Sequence, residues 1–424
     1  MPLPPLIARL LIRTRIARLL PGLQRRLEGG AEYLRYYSDR LLASPLDRLE
    51  RIALALAEDA PDVIDLASGA PRFDLTPLTA ARMPAPKRGW PPLAGMPELR
   101  GAVASHLLAD CQIAVSPAEE VLITSGALGA VQTILDAFVN RGDRVLLLDP
   151  VSPLYPLAVQ TRGAKIAWVG TRVEKGHLRP RFDHLSRRMR GARLIVLNSP
   201  ANPTGAVLAP EDLEQITWWA EKHDTLILSD EVFGRFGHDE EPTSVGSLPR
   251  ARQRTLTVGS VSKSHALAWA RVGWIAAHRH LLRPCVATAA LRSPFVSAQS
   301  QEVARAALQT SPEAFAPHLA SLDSRRRYAV ERLRAMGLSP VWPVAGFFVW
   351  MAVPDAWHSG RALADALLGM HRVRVMPGDL FGPSGARFVR LSLLCDDGRL
   401  EEGLTRLGHL VRGERQRLPV RRAA

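Results

Sequence analysis

In GSVSKSHALAWARVGW (residues 259–274) a lysine stands three residues after Ser260 and eight before Arg271. The chain carries 55 basic residues, yet only five are lysines: Lys87, Lys165, Lys175, Lys222 and Lys263. A primary amine can lose its proton and attack a carbonyl, which a guanidinium cannot do. In a sequence so rich in arginine, Lys263 is a candidate nucleophile, although alone it reads equally well as a surface lysine in a serine-rich loop. Three other stretches could do chemistry. NSPANPTG (198–205) follows an apolar run and turns on proline and glycine. SDEVFGRF (229–236) sets Asp230 at the end of another such run. ITSGALGA (123–130) puts Ser125 and Gly126 where a strand pattern passes into a helical one, and free N–H groups with a helix dipole there suit a phosphate. Taken singly, Asp230 reads as a helix cap, Asn202 as a turn former and Arg390 as a surface arginine.

The elements that must position these residues alternate along the chain. VLITS (121–125), RVLLLD (144–149), KIAWV (165–169), RLIVLN (193–198), TLILSD (225–230) and TLTVGS (255–260) read as strands. Amphipathic helix patterns such as ALGAVQTILDAFV and PEDLEQITWWAEKH lie between most of them. That alternation predicts an α/β fold, a mainly parallel sheet covered by helices on both faces. Ligands on such sheets bind at the carboxyl ends of the strands. Ser125, Asp149, Asn198, Asp230 and Ser260 all fall at predicted strand ends. After residue 300 long Arg/Ala/Leu helices give way to FFVWMAV, VRVMP and RFVRLSLL, which reads as a second, smaller α+β domain.

The bulk numbers set limits. A chain of 424 residues with 47% hydrophobic and 23% charged residues can bury a large core and reads as globular. No run approaches the ~18 apolar residues of a membrane span. Cys111, Cys285 and Cys395 are scattered, which argues for a reducing, cytoplasmic setting and against a disulfide framework or a zinc site. The net charge of +14 is concentrated at the ends, six arginines in Met1–Leu27 and five in the tail from Arg412, so the chain does not read as a nucleic-acid binder. LIARLLIRTRIARLL reads as a basic amphipathic helix ended by Pro21–Gly22. It lacks the cleavage site of a secretory signal. It reads first as an arm packing on its own protein or a partner subunit, second as a membrane-surface contact.

Together the four motifs resemble the fold type I pyridoxal-phosphate enzymes, in particular the class I/II aminotransferases. The resemblance runs from about Val63 to Leu410 and includes VIDLASGAPRFDLTP (63–77), GWPPLAGMPELR (89–100), GFFVWMAVP (346–354) and RVMPGDLFGPSGARFVRLSLL (374–394). It implies a large cofactor-binding domain over 75–300, a small domain from 46–74 and 301–412, an N-terminal extension over 1–45 and a basic tail over 413–424. It implies pyridoxal 5'-phosphate as cofactor and amino-group transfer between an amino acid and a 2-oxo acid by a ping-pong Schiff-base route, in a homodimer with shared active sites. Lys263 would bind the cofactor covalently and then move the substrate's α-proton. Asp230 would face the pyridine nitrogen and Asn202 the ring 3-oxygen. Ser125, Gly126, Ala127, Ser260 and Arg271 would hold the phosphate. Arg390 would take the substrate α-carboxylate in a bidentate pair, with Gly69 allowing close backbone approach.

Several positions depart from the family pattern. Phe233 stands where many members have a tyrosine bonding the ring 3-oxygen, a loss expected to shift the pH profile upward. Ser152 replaces an aromatic that stacks on the ring, with Tyr155 nearby. Trp90 takes the place of a tyrosine that reaches the neighbouring subunit's phosphate; its indole N–H can still donate. Trp269 replaces a small residue and is expected to narrow the cleft or rebuild its loop. Arg292, in LRSPFVSAQ, resembles a segment crossing the dimer, where it would bind a second acidic group; a solvated helix-end arginine is the plainer reading. The departures leave decarboxylation or β/γ-elimination on the same fold as the alternative. A ligand-sensing regulator is disfavoured because no helix-turn-helix pattern precedes residue 60. An inactive scaffold is disfavoured by the joint presence of Lys263, Asp230, Asn202, Arg271 and Arg390.

Overall fold

The computed structural model describes residue 52, residues 62–71 and residues 89–413. The N-terminal arm, the tail beyond residue 413 and residues 72–77 of the first motif lie outside the described residues. The strands in chain order are β1 (Ile64–Asp65), β2 (Val121–Ser125), β3 (Arg144–Asp149), β4 (Lys165–Glu174), β5 (His177–Pro180), β6 (Leu194–Asn198) and β7 (Leu226–Asp230). There follow β8 (Thr255–Ser260), β9 (Val272–Ala277), β10 (Ser339–Pro340), β11 (Phe348–Ala352), β12 (Val373–Arg374), β13 (Met376–Pro377) and β14 (Phe388–Ser392).

Successive residues of a strand face opposite sides of a sheet, so a strand buried on both faces must be apolar at every position. VLLL within RVLLLD and LIVL within RLIVLN meet that condition. Val145, Leu147, Leu194 and Val196 pack with Ala130, Ile134 and Leu135 of the helix Gly126–Phe138. Leu146, Leu148, Ile195 and Leu197 pack on the other side with the helices Phe182–Met189 and Pro210–Lys222. The result is an eight-stranded sheet in the order β2-β9-β8-β7-β6-β3-β4-β5. Its centre is parallel; β9 and β5 run against their neighbours. All six strands expected from the sequence are present. β9 was not anticipated, because VGWIAA starts directly after Arg271 with no Gly or Pro turn to announce a reversal.

Register explains how separate motifs meet. Asn198 and Asp230 are direct cross-strand partners at the ends of β6 and β7. Ser125 pairs with Val272, and Ser260 pairs with Gly273 one residue along β9, so the unanticipated strand brings two polar strand ends together. Asp149 is different: its carboxylate accepts from the Ser384 backbone N–H at 3.1 Å and hydroxyl at 2.8 Å and ties a distant loop.

The later part of the chain forms an antiparallel sheet in the order β10-β11-β14-β13 and a parallel pair β1-β12. The helices Ala316–Ala335, Gly360–His371 and Asp397–Val411 share one apolar core with these strands. Among the described residues no helix is long and apolar enough to cross a membrane.

A strap from Trp342 to Phe347 joins this layer to the loops of the large sheet. Ala345 N–H donates to Gly205 at 2.9 Å and Gly346 N–H to Phe236 at 2.7 Å. Its clasp is Arg326, whose fully buried guanidinium donates to Asp239 at 2.7 and 2.9 Å and to the Pro343 carbonyl at 2.7 Å. Trp342 Nε1 donates to the same Asp239 at 2.8 Å, and the guanidinium lies 4.5 Å from the Trp342 ring. A buried arginine deprived of a charged acceptor is costly even with Asp323 remaining. We expect Asp239→Ala to lower stability by about 2 kcal/mol in urea unfolding; an unchanged midpoint would contradict the clasp.

Candidate active site

The carboxyl ends of β6, β7 and β8 open into a cavity of about 790 Å³ between the two layers. Gly69, Ala127, Asn202, Asp230, Ser260, Lys263, Arg271 and Arg390 all line it, so the structure brings together eight residues that lie more than 300 positions apart at the extremes. Ser125 and Gly126, which directly precede Ala127, are not among its lining residues. Trp90 and Arg292 do not line it in this chain.

Lys263 is delivered by a one-turn helix, Val261–Ser264, that starts where β8 ends. Ser260 caps it by accepting from the Ser262 N–H at 3.1 Å. Ser260 Oγ also lies 2.7 Å from the Val272 carbonyl and 2.9 Å from Ser262 Oγ, so its single proton already has acceptors. Ser262, which lines the cavity one residue before the lysine, was missed in the sequence; the alternation S-x-S-K was the signal. Lys263 Nζ donates to the Gly69 carbonyl oxygen. Burial and then the charges of Arg390 and Arg271 bring its pKa down to about 8, with Asp230 opposing them. The amine is therefore far easier to deprotonate near physiological pH than an ordinary lysine.

Asp230 is buried, and burial raises its pKa. Tyr155 Oη donates to Oδ2 at 2.6 Å and the Val232 N–H donates to Oδ1 at 3.1 Å. Tyr155, left open from the sequence, thus serves Asp230, the charge next to the site Ser152 leaves without an aromatic. Asn198 Nδ2 donates to the Asp230 carbonyl at 3.1 Å, while its Oδ1 accepts from the Asn202 N–H at 3.0 Å. One strand-end asparagine therefore sets both neighbours.

Asn202 Oδ1 accepts from Arg390 Nη1 at 2.9 Å. That contact aims its amide nitrogen elsewhere and fixes its orientation. Arg390 Nη2 donates to the Ala67 carbonyl at 2.5 Å, and Nε has no hydrogen-bond partner among the described residues. Burial brings the guanidinium pKa down to about 9. A buried, unpartnered N–H on a cation calls for an anionic acceptor.

Arg271 adopts a left-handed backbone with φ +53 and donates from Nη1 to Ala268 O at 3.1 Å. Gly126, at φ +72, begins the helix Gly126–Phe138; a Cβ there would lie 2.5 Å from Arg271 Nη2. Only glycine lets the guanidinium meet that helix N-terminus, and the two together suit an anion. These observations fit pyridoxal phosphate: an anion cradle at Gly126, Arg271 and Ser260, a low-pKa lysine, a buried carboxylate for a ring cation, and a guanidinium left open for a carboxylate.

The departures resolve as follows. Phe233 is buried and packs edge-to-face with Phe347 and Phe348 at 5.4 and 5.9 Å, so no hydroxyl is presented there. The expectation that Trp269 narrows the cleft is corrected: its ring is 63% exposed and lies outside the cavity, while Ala268 lines it. Trp90 is 82% exposed and stacks on Phe295 at 4.9 Å. Arg292 pairs with Asp136 of its own chain.

Comparison with known proteins agrees with the geometry. The family model described as aminotransferase class I and II matches residues 61–407. The chain is 31% identical to the aspartate aminotransferase of Pyrococcus abyssi, over 88% of this chain and 98% of that protein. It is 30% identical to aromatic-amino-acid aminotransferase 2 of Thermococcus litoralis, over 86% and 98%. The crystal structure of the aromatic aminotransferase from Pyrococcus horikoshii superposes with a TM-score of 0.77 at 30% identity, covering 86% of this chain and 99% of that one.

Two outcomes are expected from the site. In cofactor-free protein, Lys263 is protonated and unreactive below its pKa and neutral above it. Its labelling by an amine-selective reagent should therefore rise with a midpoint near pH 8, whereas a midpoint of ~10.4 would mark an ordinary lysine. Tyr155→Phe removes a donor to a buried carboxylate and should weaken cofactor binding about tenfold, read by titrating the visible absorbance; unaltered affinity would contradict the role of that hydroxyl.

Proposed function

This chain belongs to the class I and II aminotransferases, pyridoxal-phosphate enzymes that move an amino group between an amino acid and a 2-oxo acid, and from that premise we propose how its residues divide the work. When bound, pyridoxal phosphate supplies an aldehyde that receives the amino group and a ring that draws electrons from the substrate's α-carbon. Lys263 is the residue that holds the cofactor and carries the proton to and from that carbon; its lowered pKa supports the assignment. Asp230, held by Tyr155 and Asn198, keeps a negative charge facing the ring nitrogen. Asn202 presents its amide to the ring oxygen while bonding Arg390. Arg271 with Gly126, Ala127, Ser125 and Ser260 receives the phosphate, Ser260 chiefly by shaping the turn. Arg390 receives the substrate carboxylate beside Gly69. Its unpartnered buried Nε is the observation that carries this reading.

We further assign the working form to a homodimer in the cytoplasm, serving amino-acid biosynthesis, with the large domain over 75–300 and the small one around it. Trp90 stacked on Phe295, with Leu291 and Trp269 also exposed, supports an interaction face beside the cleft. From that face Trp90 would reach the neighbouring phosphate. Arg292 would have to exchange Asp136 for an acidic group on a substrate in the neighbouring cleft.

The test is a single half-reaction. Cofactor-loaded protein given an amino acid alone should yield one oxo acid per chain and then stop, and resume when a 2-oxo acid is added. Continuous release of carbon dioxide or ammonia would move the chemistry to decarboxylation or elimination.

A further inference from the structure

Arg390 is a buried cation with an unusual set of partners. β11 and β14 are antiparallel, with Phe348 opposite Ser392 and Trp350 opposite Arg390. Phe348 and Arg390 are therefore diagonal neighbours on one face of the sheet, within reach of a long side chain and an aromatic ring. The Arg390 guanidinium carbon lies 3.9 Å from the Phe348 ring centroid, well inside the range of a cation–π contact, and 5.1 Å from that of Phe381. Its hydrogen bonds go to two neutral oxygens, those of Asn202 and Ala67. Among the described residues no carboxylate forms an ion pair with it; Asp65, which also lines the cavity, acts on it only at longer range.

The distinction matters for a residue that must receive an anion. An arginine held by an aspartate presents a neutral pair to its ligand. One held by a ring face and neutral oxygens keeps its full charge available, and the ring face in addition leaves the N–H edges in the guanidinium plane open. Phe348 is itself fixed. It packs against Phe347 at 4.6 Å and Phe233 at 5.9 Å, and its Cζ would lie 3.3 Å from a Cβ built on Gly69. The strap from Trp342 to Phe347 delivers it directly from the loops that carry Asn202 and Asp230. Phe233, which offers no hydroxyl to the cleft, thereby gains a use as the second wall behind Phe348.

We propose that Phe348 is a positioning residue for the carboxylate clamp: the electron-rich face of its ring stands in for a counter-ion, orienting Arg390 while leaving its charge free for the substrate. The proposal rests on the reading that Arg390 receives the substrate carboxylate.

The experiment uses the cofactor-loaded enzyme with Phe348 replaced by 3,5-difluorophenylalanine, which keeps the ring's shape and weakens its negative face, and in a second variant Phe348→Leu. The probes are propionate, a carboxylate without an amine, and propylamine, an amine without a carboxylate, each titrated against the cofactor's visible band. The propionate dissociation constant should rise about threefold with the fluorinated ring and about tenfold with leucine, while propylamine behaves as in the unaltered enzyme. A fluorinated enzyme that binds propionate normally, whatever leucine does, overturns the proposal, because ring charge is then irrelevant. Equal weakening toward both probes also overturns it. Arg390→Ala separates the two levels of the argument: unchanged propionate binding there defeats the carboxylate reading itself, whereas a loss there with no effect of fluorination defeats only the role of Phe348.

Discussion

The three cations at the centre of this cleft give their direct hydrogen bonds to neutral oxygens. Lys263 is bonded to the Gly69 carbonyl, Arg271 to the Ala268 carbonyl, and Arg390 to the oxygens of Asn202 and Ala67. Arg271 and Arg390 both push the proton off Lys263, and burial pushes in the same direction. Asp230 and Asp65 offset this crowding only in part, with no ion pair to any of the three among the described residues, and the remaining cost falls when anions arrive. A phosphate and a carboxylate are the two anions that the arrangement fits. The same crowding that makes the lysine amine available therefore selects what binds beside it.

The rest of the fold can be read as the means of maintaining that crowding. The large sheet supplies strand ends at fixed spacing, and its rigidity comes from strands apolar on both faces. Gly126 gives up a side chain so that Arg271 can meet a helix N-terminus. The smaller sheet brings Arg390, and the strap clasped by Arg326 and Asp239 keeps that sheet in register with Asn202. Arg326 shows the contrasting design: where a buried arginine is structural, it is surrounded by carboxylates.

Much of this was legible in the sequence, for a physical reason. Strands buried on both faces must be apolar through their length, so β3 and β6 were readable as runs, and the polar ends of β6, β7 and β8 marked the cleft. Lys263, Asp230, Asn202, Arg271 and Arg390 were picked out because the ordered motifs that carry them resemble the class I/II aminotransferases, and all five line one cavity. What escaped was set by geometry. β9 carries no turn signal at its start, although it brings Ser125 and Ser260 together. The service of Tyr155 to Asp230 depends on a helix turning a hydroxyl inward across 75 residues of sequence. Trp269 was expected to narrow the cleft or rebuild its loop; the residue is exposed and does not line the cavity. The stacking of Phe348 on Arg390 follows from an antiparallel register that no local pattern reveals.

The measurement closest to the heart of this account is the proton affinity of Lys263 in cofactor-free protein with and without saturating inorganic phosphate, followed by the nitrogen chemical shift of that one lysine. If unpaired cations hold the proton off, phosphate beside Arg271 must cancel part of their repulsion, and the midpoint should move upward from about 8. A midpoint that stays in place while phosphate demonstrably binds would mean that burial alone sets the lysine, and that the crowding of charge is incidental.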